Sequence, residues 1–435
     1  MDWYYLLLIM IAVLFVFLLS GMPVAFAFMA LNFIGIYILM GGTNGFMLVV
    51  QSAFNILNSF IMAPIPLFII MGMILFHSGV GWLIIDALDR WIGHIPGRLS
   101  VLSVVAGTVF AVVSGVPMGT TAMLGSVFVP EMKKRGYSST MSIGPVLGGG
   151  SLALIIPPSA MAVILGGLAD VSIGHLLISA IIPGVLLAAL YIAYILFQAI
   201  VHPEFAPRYA GRKVSHKERA QSLVYILPLA GVVFLVTGVI FLGIATPTES
   251  AATGALAAFV LVAAYNKLSW AALKKTLLGS VNVSVMVMMI IMGSVAFCQI
   301  MAYTGCTHAL AQLASNLEIH PILIVITMQI VVVILGCFMD LISLTMITIP
   351  IFMPVVKALH LDPVWFCTLM LLNLGAATLT PPFGILLFTM KGVAPPDVSM
   401  ADIIRSSIPY FIMNWIVIAL VLFFPSIALW LPSLM

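Results

Sequence analysis

The sequence predicts an all-α polytopic membrane protein made of two repeats of inverted topology. Three observations predict it: the composition, the recurring apolar runs, and two matching breaks within those runs. The chain has 435 residues, of which 63% are hydrophobic and only 7% are charged. Soluble domains carry far more charge than this. In lipid the backbone must bond internally, and the alternation typical of barrel strands is absent, so the runs are predicted to be helices.

The apolar runs are long enough to cross the hydrocarbon core of a bilayer, or to cross a large part of it. The first run lacks the basic start of a cleaved signal peptide, so we expect it to remain as a span. The predicted spans occupy residues 3–20, 22–40, 63–78, 139–170, 174–201, 222–243, 249–265, 279–304, 363–391 and 406–431.

Two segments between the spans, at about 97–135 and 320–358, differ from the rest. Each is short for two crossings and a turn, which need roughly 40 residues. We therefore predict that each is a re-entrant helical hairpin, which enters the membrane and returns to the same side. If the N-terminus is outside, every Lys and Arg except Lys357 then faces the cytoplasm, as the positive-inside rule requires.

Prolines recur at a constant spacing and reveal an internal repeat. Pro157–Pro158 is matched by Pro381–Pro382, and Pro130 is matched by Pro354, each 224 positions later. Both proline pairs interrupt apolar runs, within "GGGSLALIIPPSAMAV" and "GAATLTPPFGILLF". The repeat therefore predicts one broken helix in each half.

The repeat divides the chain into a first half at 1–203 and a second half at 222–435. A polar, cytoplasmic linker at 204–221 separates them. The broken helices are predicted at about 139–170 and 363–391. An odd number of crossings precedes the linker, so the second half enters the membrane from the opposite side. Inverted repeats with broken helices are typical of secondary transporters, whose substrate site lies near the midplane.

A helix that breaks inside the membrane exposes carbonyl groups on one side of the break and amides on the other. Carbonyl oxygens suit a hard cation such as Na⁺, and the amide end suits an anion. The alternative is a pair of ordinary proline kinks. The residues with these groups are Gly150, Ser151, Pro157, Pro158 and Ser159 in the first half, and Thr378, Thr380, Pro381 and Pro382 in the second.

Hydroxyl groups near the hairpin tips can supply further oxygen ligands, unless they bond back to their own helices. They belong to Ser114, Thr120, Thr121, Ser343 and Thr345. Together with the starts of the second half-helices, they give the predicted substrate contacts: Thr120, Thr121, Pro158, Ser159, Ser343, Thr345 and Pro382.

Asp340 lies near the second hairpin tip. A carboxylate at the bilayer centre costs roughly 2.5–3.5 kcal/mol on insertion scales and needs a partner. No Lys or Arg is near it in sequence. A bound cation would supply the missing charge, and the alternative is that Asp340 caps a helix. Glu249, in "TPTES", is predicted to cap a helix start.

Two amphipathic stretches are predicted to lie along the membrane interface. They are "GWLIIDALDRWIGHIPGR" and "NKLSWAALKKTLLG". The four cysteines form no CxxC pair and lack histidines at metal-ligand spacing, so we expect them in the core. The net charge of +3 is slight and gives no reason to expect a nucleic acid partner.

Several motifs, in order along the chain, resemble those of the large membrane subunit of tripartite ATP-independent periplasmic (TRAP) transporters. They are "VPEMKKRGYSS", "IIPPS", "VSIGHLLISAIIPGVL", "ATPTESAA" and "TPPFG". The resemblance implies an elevator-type transporter of the bacterial inner membrane, coupled to Na⁺, with no organic cofactor. It also implies a periplasmic substrate-binding protein and a small four-helix membrane subunit. Since the chain starts directly with its first span, we expect that subunit to be a separate polypeptide.

The resemblance also implies two sodium sites, each between a hairpin tip and a broken helix. The first tip reads "SGVPMG" where relatives often have "SGSS", so carbonyl groups are expected to contribute more there. The implied residues are Ser114, Gly115, Gly150, Ser151 and Pro157 for one site, and Met339, Asp340, Thr378, Thr380 and Pro381 for the other.

The substrates of the family are organic acids: C4-dicarboxylates, sialic acids, other sugar acids and keto acids. A site with few basic side chains but many hydroxyls favours one carboxylate among hydroxyl groups. We therefore expect a sugar acid such as sialic acid, with a C4-dicarboxylate next.

Three other functions are considered: a stand-alone Na⁺/anion symporter without a binding protein, a channel, and an intramembrane enzyme. An enzyme needs a converging nucleophile and base. Ser114 has no nearby His or Lys, and Asp340 has no second Asp at dyad spacing. An enzyme is therefore not expected.

Overall fold

The structure is a computed structural model, which describes residues 3–92, 95–114, 116–207, 215–316, 318–337, 339–382 and 384–435. Within these ranges the chain forms helices and short connections and no strand. The helices of the first half are α1 (Trp3–Leu19), α2 (Val24–Leu39), α3 (Thr43–Leu57), α4 (Pro64–His77), α5 (Val80–Asp89), α6 (Arg98–Ser114), α7 (Pro117–Lys134), α8 (Ser139–Ser151), α9 (Ala160–Ala169), α10 (Ile173–Ser179) and α11 (Ile181–Val201).

The second half is also helical, and a π-helical segment at Phe234–Gly238 joins its first two helices. Its helices are α12 (His216–Val233), α13 (Val239–Phe241), α14 (Pro247–Ala264), α15 (Trp270–Tyr303), α16 (Cys306–Asn316), α17 (Pro321–Gly336), α18 (Leu341–Ala358), α19 (Pro363–Thr378), α20 (Ile385–Val393), α21 (Met400–Phe423) and α22 (Ser426–Leu429).

Six helices among the described residues are long and apolar enough to cross a membrane. Helices α4 and α5 would make a seventh span together, but a bend of 68° separates them. The bend follows Gly79, whose positive φ of 71° suits glycine. It turns the amphipathic segment that begins at Gly81 away from the axis of α4.

The structure differs from the sequence-based boundaries in four places. Helices α3 and α16 were not among the predicted spans. Helix α12 begins at His216, inside the predicted linker, because Ser215 and Glu218 form a capping box. The predicted interfacial stretch after Asn266 is instead the start of α15, a continuous helix of 34 residues. Its lysines are compatible with a span because their long stems let the charged ends reach the interface.

The helices pack as two groups. The hairpin group consists of α6–α11 and α17–α22, in which α8 packs against α6, α7 and α21, and α19 against α17 and α21. The long-helix group consists of α1–α5 and α12–α15, in which α4 packs against α14 and α15. Helix α16 contacts both groups. The two groups meet where α4 touches α6 and α9, and where α15 touches α18.

Glycines let the central helices of the hairpin group approach closely. A Cβ atom added to Gly107 on α6 would lie 2.5 Å from Cα of Gly149 on α8. On the opposite face of α8, a Cβ atom at Gly148 would lie 2.4 Å from the ring of Tyr410 on α21. Small residues at such crossings bring backbones together inside a membrane. Helix α8 is therefore held tightly on both sides, up to the point at which it ends.

The two hairpins have matching boundaries. Helices α7 and α18 follow N-cap residues Val116 and Asp340 and end at Lys134 and Ala358. Both pairs are separated by the 224 positions that also separate the proline pairs. The spacing that the prolines reveal in the sequence thus recurs in the helix boundaries.

Candidate functional site

The helix is interrupted at both proline pairs. Helix α8 ends at Ser151, a 3₁₀ turn covers Leu152–Leu154, and α9 begins at Ala160. Helix α19 ends at Thr378 and α20 begins at Ile385. We call residues 152–159 the first break and residues 379–384 the second break. In both, the peptide bond between the two prolines is cis.

The two broken helices touch each other near their breaks. A Cβ atom on Gly375 of α19 would lie 3.6 Å from the carbonyl oxygen of Ser151 and 3.5 Å from Oδ1 of Asn414. Asn414 Nδ2 donates to the hydroxyl of Tyr191 at 2.5 Å, and that hydroxyl lies 3.2 Å from Ser151 Oγ. Tyr191 and Asn414 are buried. This polar network from α11 and α21 fixes the end of α8 beside α19.

At the first break, a buried oxygen lies next to a glycine. A Cβ atom on Gly150 would lie 1.9 Å from Oγ1 of Thr121, so Thr121 abuts the backbone of α8. Thr121 Oγ1 is buried and has no hydrogen-bond partner among the described residues. Ser151 Oγ instead donates to the carbonyl of Gly148 at 2.8 Å. Of the other predicted ligands, Pro157 is buried, whereas Gly115 and the side chain of Ser114 lie outside what the structure describes.

At the second break, two backbone oxygens converge on one point. A Cβ atom on Gly384 would lie 2.6 Å from the carbonyl oxygen of Thr378 and 2.8 Å from that of Thr380. The backbone nitrogen of Thr380 would lie 2.9 Å from the same Cβ position, and the Thr380 carbonyl also accepts from the Gly384 amide at 2.9 Å. The two threonine hydroxyls bond back, to the carbonyls of Gly375 at 2.7 Å and Ala376 at 2.8 Å. The hydroxyl groups of both threonines are therefore occupied by carbonyls of α19, and their backbone oxygens are the ones that lie beside Gly384.

Asp340 is the N-cap residue of α18. Its Oδ2 accepts from the backbone amides of Ile342 and Ser343, each at 3.1 Å, and its Oδ1 accepts from the hydroxyl of Ser343. These hydrogen bonds are those of a helix cap, which was the alternative role considered for Asp340. Asp340 is also exposed, and it borders the cavity described below. Met339, the residue before it, is half-buried.

The hydroxyls predicted to contact the substrate are buried. Thr120 and Thr345 donate to carbonyls one turn earlier in their own helices, at 3.2 and 2.7 Å. Ser159 caps α9 and donates to the carbonyl of Leu154 at 2.7 Å. The residues predicted to contact the substrate are Thr120, Thr121, Pro158, Ser159, Ser343, Thr345 and Pro382. None of them is among the described residues that line the cavity between the two helix groups.

A cavity of about 340 Å³ lies where the two helix groups meet. The hairpin tips, both second half-helices and the long helices α4 and α15 all contribute to its wall. The described residues that line it are Ile69, Met73, Val116, Pro117, Met118, Leu154, Ala160, Met161, Ile164, Val283, Met286, Asp340, Leu341, Ile342 and Ile385.

Four helices point their N-termini at this cavity. The first residues of α7, α9, α18 and α20 are Pro117, Ala160, Leu341 and Ile385, and all four line it. Each helix N-terminus carries a partial positive charge of roughly half an elementary unit. Side chains cap α9 and α18, whereas α7 and α20 have no side-chain cap. The cavity is thus suited to an anion, although no Lys or Arg is among its described lining residues.

The sequence pointed to the breaks but missed most of this wall. Met73, Val283 and Met286 lie on α4 and α15, far from the proline pairs in sequence. Gly384, on which the carbonyls converge, was also missed. A search for the first residue of every half-helix would have found Pro117 and Ile385, because helix starts bind anions without special side chains.

One smaller prediction can be compared with the structure. The prediction for Glu249 is confirmed: it accepts from the amide of Thr246 at 2.8 Å, within a capping box at the start of α14. Within the described part of the chain, no group of three or more His, Cys, Asp or Glu side chains is placed to hold a metal ion.

The chain is similar to known membrane transport proteins over most of its length. Residues 11–427 match the family described as "Tripartite ATP-independent periplasmic transporter, DctM component". The C4-dicarboxylate TRAP transporter large permease protein DctM of Pseudomonas aeruginosa is 29% identical over 382 residues, 87% of this chain and 88% of that protein. The ectoine/5-hydroxyectoine large permease UehC of Ruegeria pomeroyi is 30% identical over 422 residues, 96% of this chain and 97% of that protein.

The sialic acid large permease SiaM of Vibrio cholerae is 28% identical over 424 residues, 96% of each protein. Among solved structures, the YdaH transporter of Alcanivorax borkumensis has a similar fold, with a TM-score of 0.63, 15% identity and 90% of each chain covered. The three sequence relatives are named as large permease proteins of TRAP transporters, and the matched family is a transporter component, not an enzyme. Because the family match covers almost the whole sequence, this chain belongs to the DctM family, the large membrane permease component of TRAP transporters.

Proposed function

We propose that this protein imports an organic anion together with Na⁺ across the inner membrane of a bacterium. The observation that carries the proposal is the convergence of four helix N-termini on one cavity. Four partial positive charges favour a carboxylate without a buried lysine or arginine. Two of these helices, α7 and α20, lack a side-chain cap, so backbone amides of their first turns would meet the anion; in α7 these follow Pro117, which itself has no N–H.

Sodium is proposed to bind beside this anion at both breaks. Asp340 supplies a negative charge, and its three capping bonds leave about one acceptor position, because a carboxylate can accept about four hydrogen bonds. The carbonyl oxygens of Thr378 and Thr380 supply neutral ligands that suit a hard cation. In the first half, Thr121 Oγ1 and the backbone near Gly150 would do the same. A cation near Asp340 would also screen its charge from the substrate carboxylate.

Transport is proposed to follow an elevator mechanism in which the hairpin group moves against the long-helix group. The cavity has walls from both groups, so sliding one past the other would expose it first to one side and then to the other. The odd number of predicted crossings before the linker supports the inverted orientation of the two halves, with the N-terminus in the periplasm.

The family is tripartite, so two partners complete the transporter. We propose that they are a small four-helix membrane subunit on a separate chain and a periplasmic protein that delivers the substrate. The relatives named above carry C4-dicarboxylate, ectoine or sialic acid in their names, and those names do not agree on one substrate for this chain.

Radioactive sodium provides a test that does not need the substrate to be known. The large subunit, purified with its small partner, should bind sodium saturably, and Asp340→Asn should weaken that binding. Uptake by proteoliposomes that contain the complete transporter should stop when the sodium gradient is removed. Undiminished uptake without sodium on either side would contradict the coupling.

A further inference from the structure

The described part of the cavity wall has almost no polar side chains. Of the fifteen described residues that line it, Asp340 is the only one with a polar side chain. Four methionines, Met73, Met118, Met161 and Met286, contribute from four different helices. Met118 and Met286 are 42% and 43% exposed, so the side chains of these two lining residues are accessible and are not buried among other residues.

This wall fits a sugar acid or a dicarboxylate poorly. Each substrate hydroxyl held against an apolar wall without a partner costs roughly 1–3 kcal/mol. The hydroxyls that the sequence offered as partners, such as Thr120, Ser159 and Thr345, bond to their own backbones instead. A second carboxylate would lie among apolar side chains with no Lys or Arg in the described lining. The penalty for such an unpaired charge is larger still.

One carboxylate and an apolar body match the described wall except at Asp340, whose charge the proposed sodium ion would balance. The carboxylate would lie at the uncapped N-termini of α7 and α20, which contribute Pro117, Met118 and Ile385 to the lining. The body would lie along the methionines of α4, α9 and α15, whose flexible side chains adapt to irregular shapes. A volume of about 340 Å³ is at the lower end for small-molecule sites.

We propose that the substrate is a monocarboxylate with an apolar, branched or aromatic body rather than a sugar acid or a C4-dicarboxylate. This inference rests on the proposed function, because it assumes that the cavity is the transport site. It names the substrate class by chemistry alone: one anionic group and a body without hydroxyls.

The test compares three probes on the purified large and small subunits in the presence of sodium. The probes are 4-methyl-2-oxopentanoate, succinate and N-acetylneuraminate, and ligand binding is read from the rise in melting temperature. We expect 4-methyl-2-oxopentanoate to bind about tenfold more tightly than either other probe, since one unpaired polar group corresponds to about that factor. Equal or tighter binding of succinate or N-acetylneuraminate would overturn the proposal.

Variants of the wall make the test independent of the choice of probe. Met118→Gln and Met286→Gln should each weaken binding of 4-methyl-2-oxopentanoate several-fold and leave sodium binding unchanged. Met289→Gln is the control: it lies on α15 with Met286 but packs in the cluster around α1 and α2. If all three variants behave alike, the wall does not select the substrate. If the probe binds equally without sodium, the coupling in the proposed function fails while the substrate class stands.

Discussion

The two breaks have the same backbone plan and different polar groups. At the first break, the described candidate ligands are neutral: the Thr121 hydroxyl beside Gly150, and a carbonyl-bearing turn. At the second, a carboxylate at Asp340 accompanies the carbonyls that converge at Gly384. The capping also alternates, since side chains cap α18 and α9, whereas α7 and α20 lack such caps.

Under the proposed function, this difference would give the two breaks separate duties. A broken helix offers carbonyls and amides whatever its side chains are, so both halves can attract ions through the backbone alone. The side chains near each break would then set how strongly that break attracts an ion. We expect the second break to hold its cation tightly through charge, and the first break to hold its cation weakly through neutral oxygens.

Removing the carboxylate of Asp340 should cause the largest change in sodium binding. We expect Asp340→Asn to weaken sodium binding about tenfold, or about 1.4 kcal/mol, because the charge that balances the cation is lost. The asparagine still caps α18, so the melting temperature without sodium should change little. Direct binding of radioactive sodium measures the change.

Asp362→Asn is the matched control for that variant. Asp362 caps α19 and also accepts from two backbone amides, those of Val364 at 2.8 Å and Trp365 at 3.0 Å, but it lies away from the cavity. Equal sodium affinities in the two variants would remove Asp340 from the ion site.

Filling the point between the carbonyls should have the next largest effect. In Gly384→Ala, the new Cβ would lie 2.6 Å from the Thr378 oxygen, so the second break must shift. We expect transport to slow several-fold and sodium binding to weaken. Gly392→Ala is the control, because a Cβ there meets nothing within 4 Å and alanine favours the helix by up to about 1 kcal/mol. Near-normal sodium binding by Gly384→Ala would show that these carbonyls are not ligands.

A smaller effect on sodium binding is expected from replacing the threonines at equivalent positions of the two hairpins. Thr121 Oγ1 has no partner among the described residues, whereas Thr345 Oγ1 donates to the Leu341 carbonyl at 2.7 Å. We expect Thr121→Val to weaken sodium binding about threefold, or somewhat under 1 kcal/mol. Thr345→Val should leave it unchanged. If sodium titrations of the two variants coincide, the first break does not use this hydroxyl.

The smallest effect on sodium binding is expected for the network that joins the breaks, which should change stability alone. Tyr191→Phe removes the hydroxyl that bridges Ser151 and Asn414, and we expect a loss of about 1 kcal/mol in stability. The loss should be the same with and without sodium, because the network holds the backbone rather than the ion. Tyr194→Phe is the control, since its hydroxyl accepts only a long bond of 3.3 Å from Gln198. A loss that appears only with sodium would instead make Tyr191 part of the ion site.

Much of the architecture could be predicted from local signals. The composition required a membrane, and the proline pairs located both breaks, because a proline cannot donate to a helix wherever it is placed. The boundaries of the interfacial stretches could not be predicted equally well. Lys274 and Lys275 suggest a separate surface helix, yet they lie in the first turns of the continuous helix α15, because their stems let the charged ends reach water.

The sequence by itself determined that this chain lies in lipid, that its helices break twice, and which family it resembles, since each follows from residue types and their spacing. Only the tertiary structure decided which oxygens are free. Thr121 and Thr345 are equivalent in sequence, but one abuts Gly150 and the other bonds to its own helix. Only the tertiary structure brought methionines of α4 and α15 opposite the hairpin tips. The physical reason is that a cavity is bounded by whatever distant segments pack around it, and no local pattern encodes that choice.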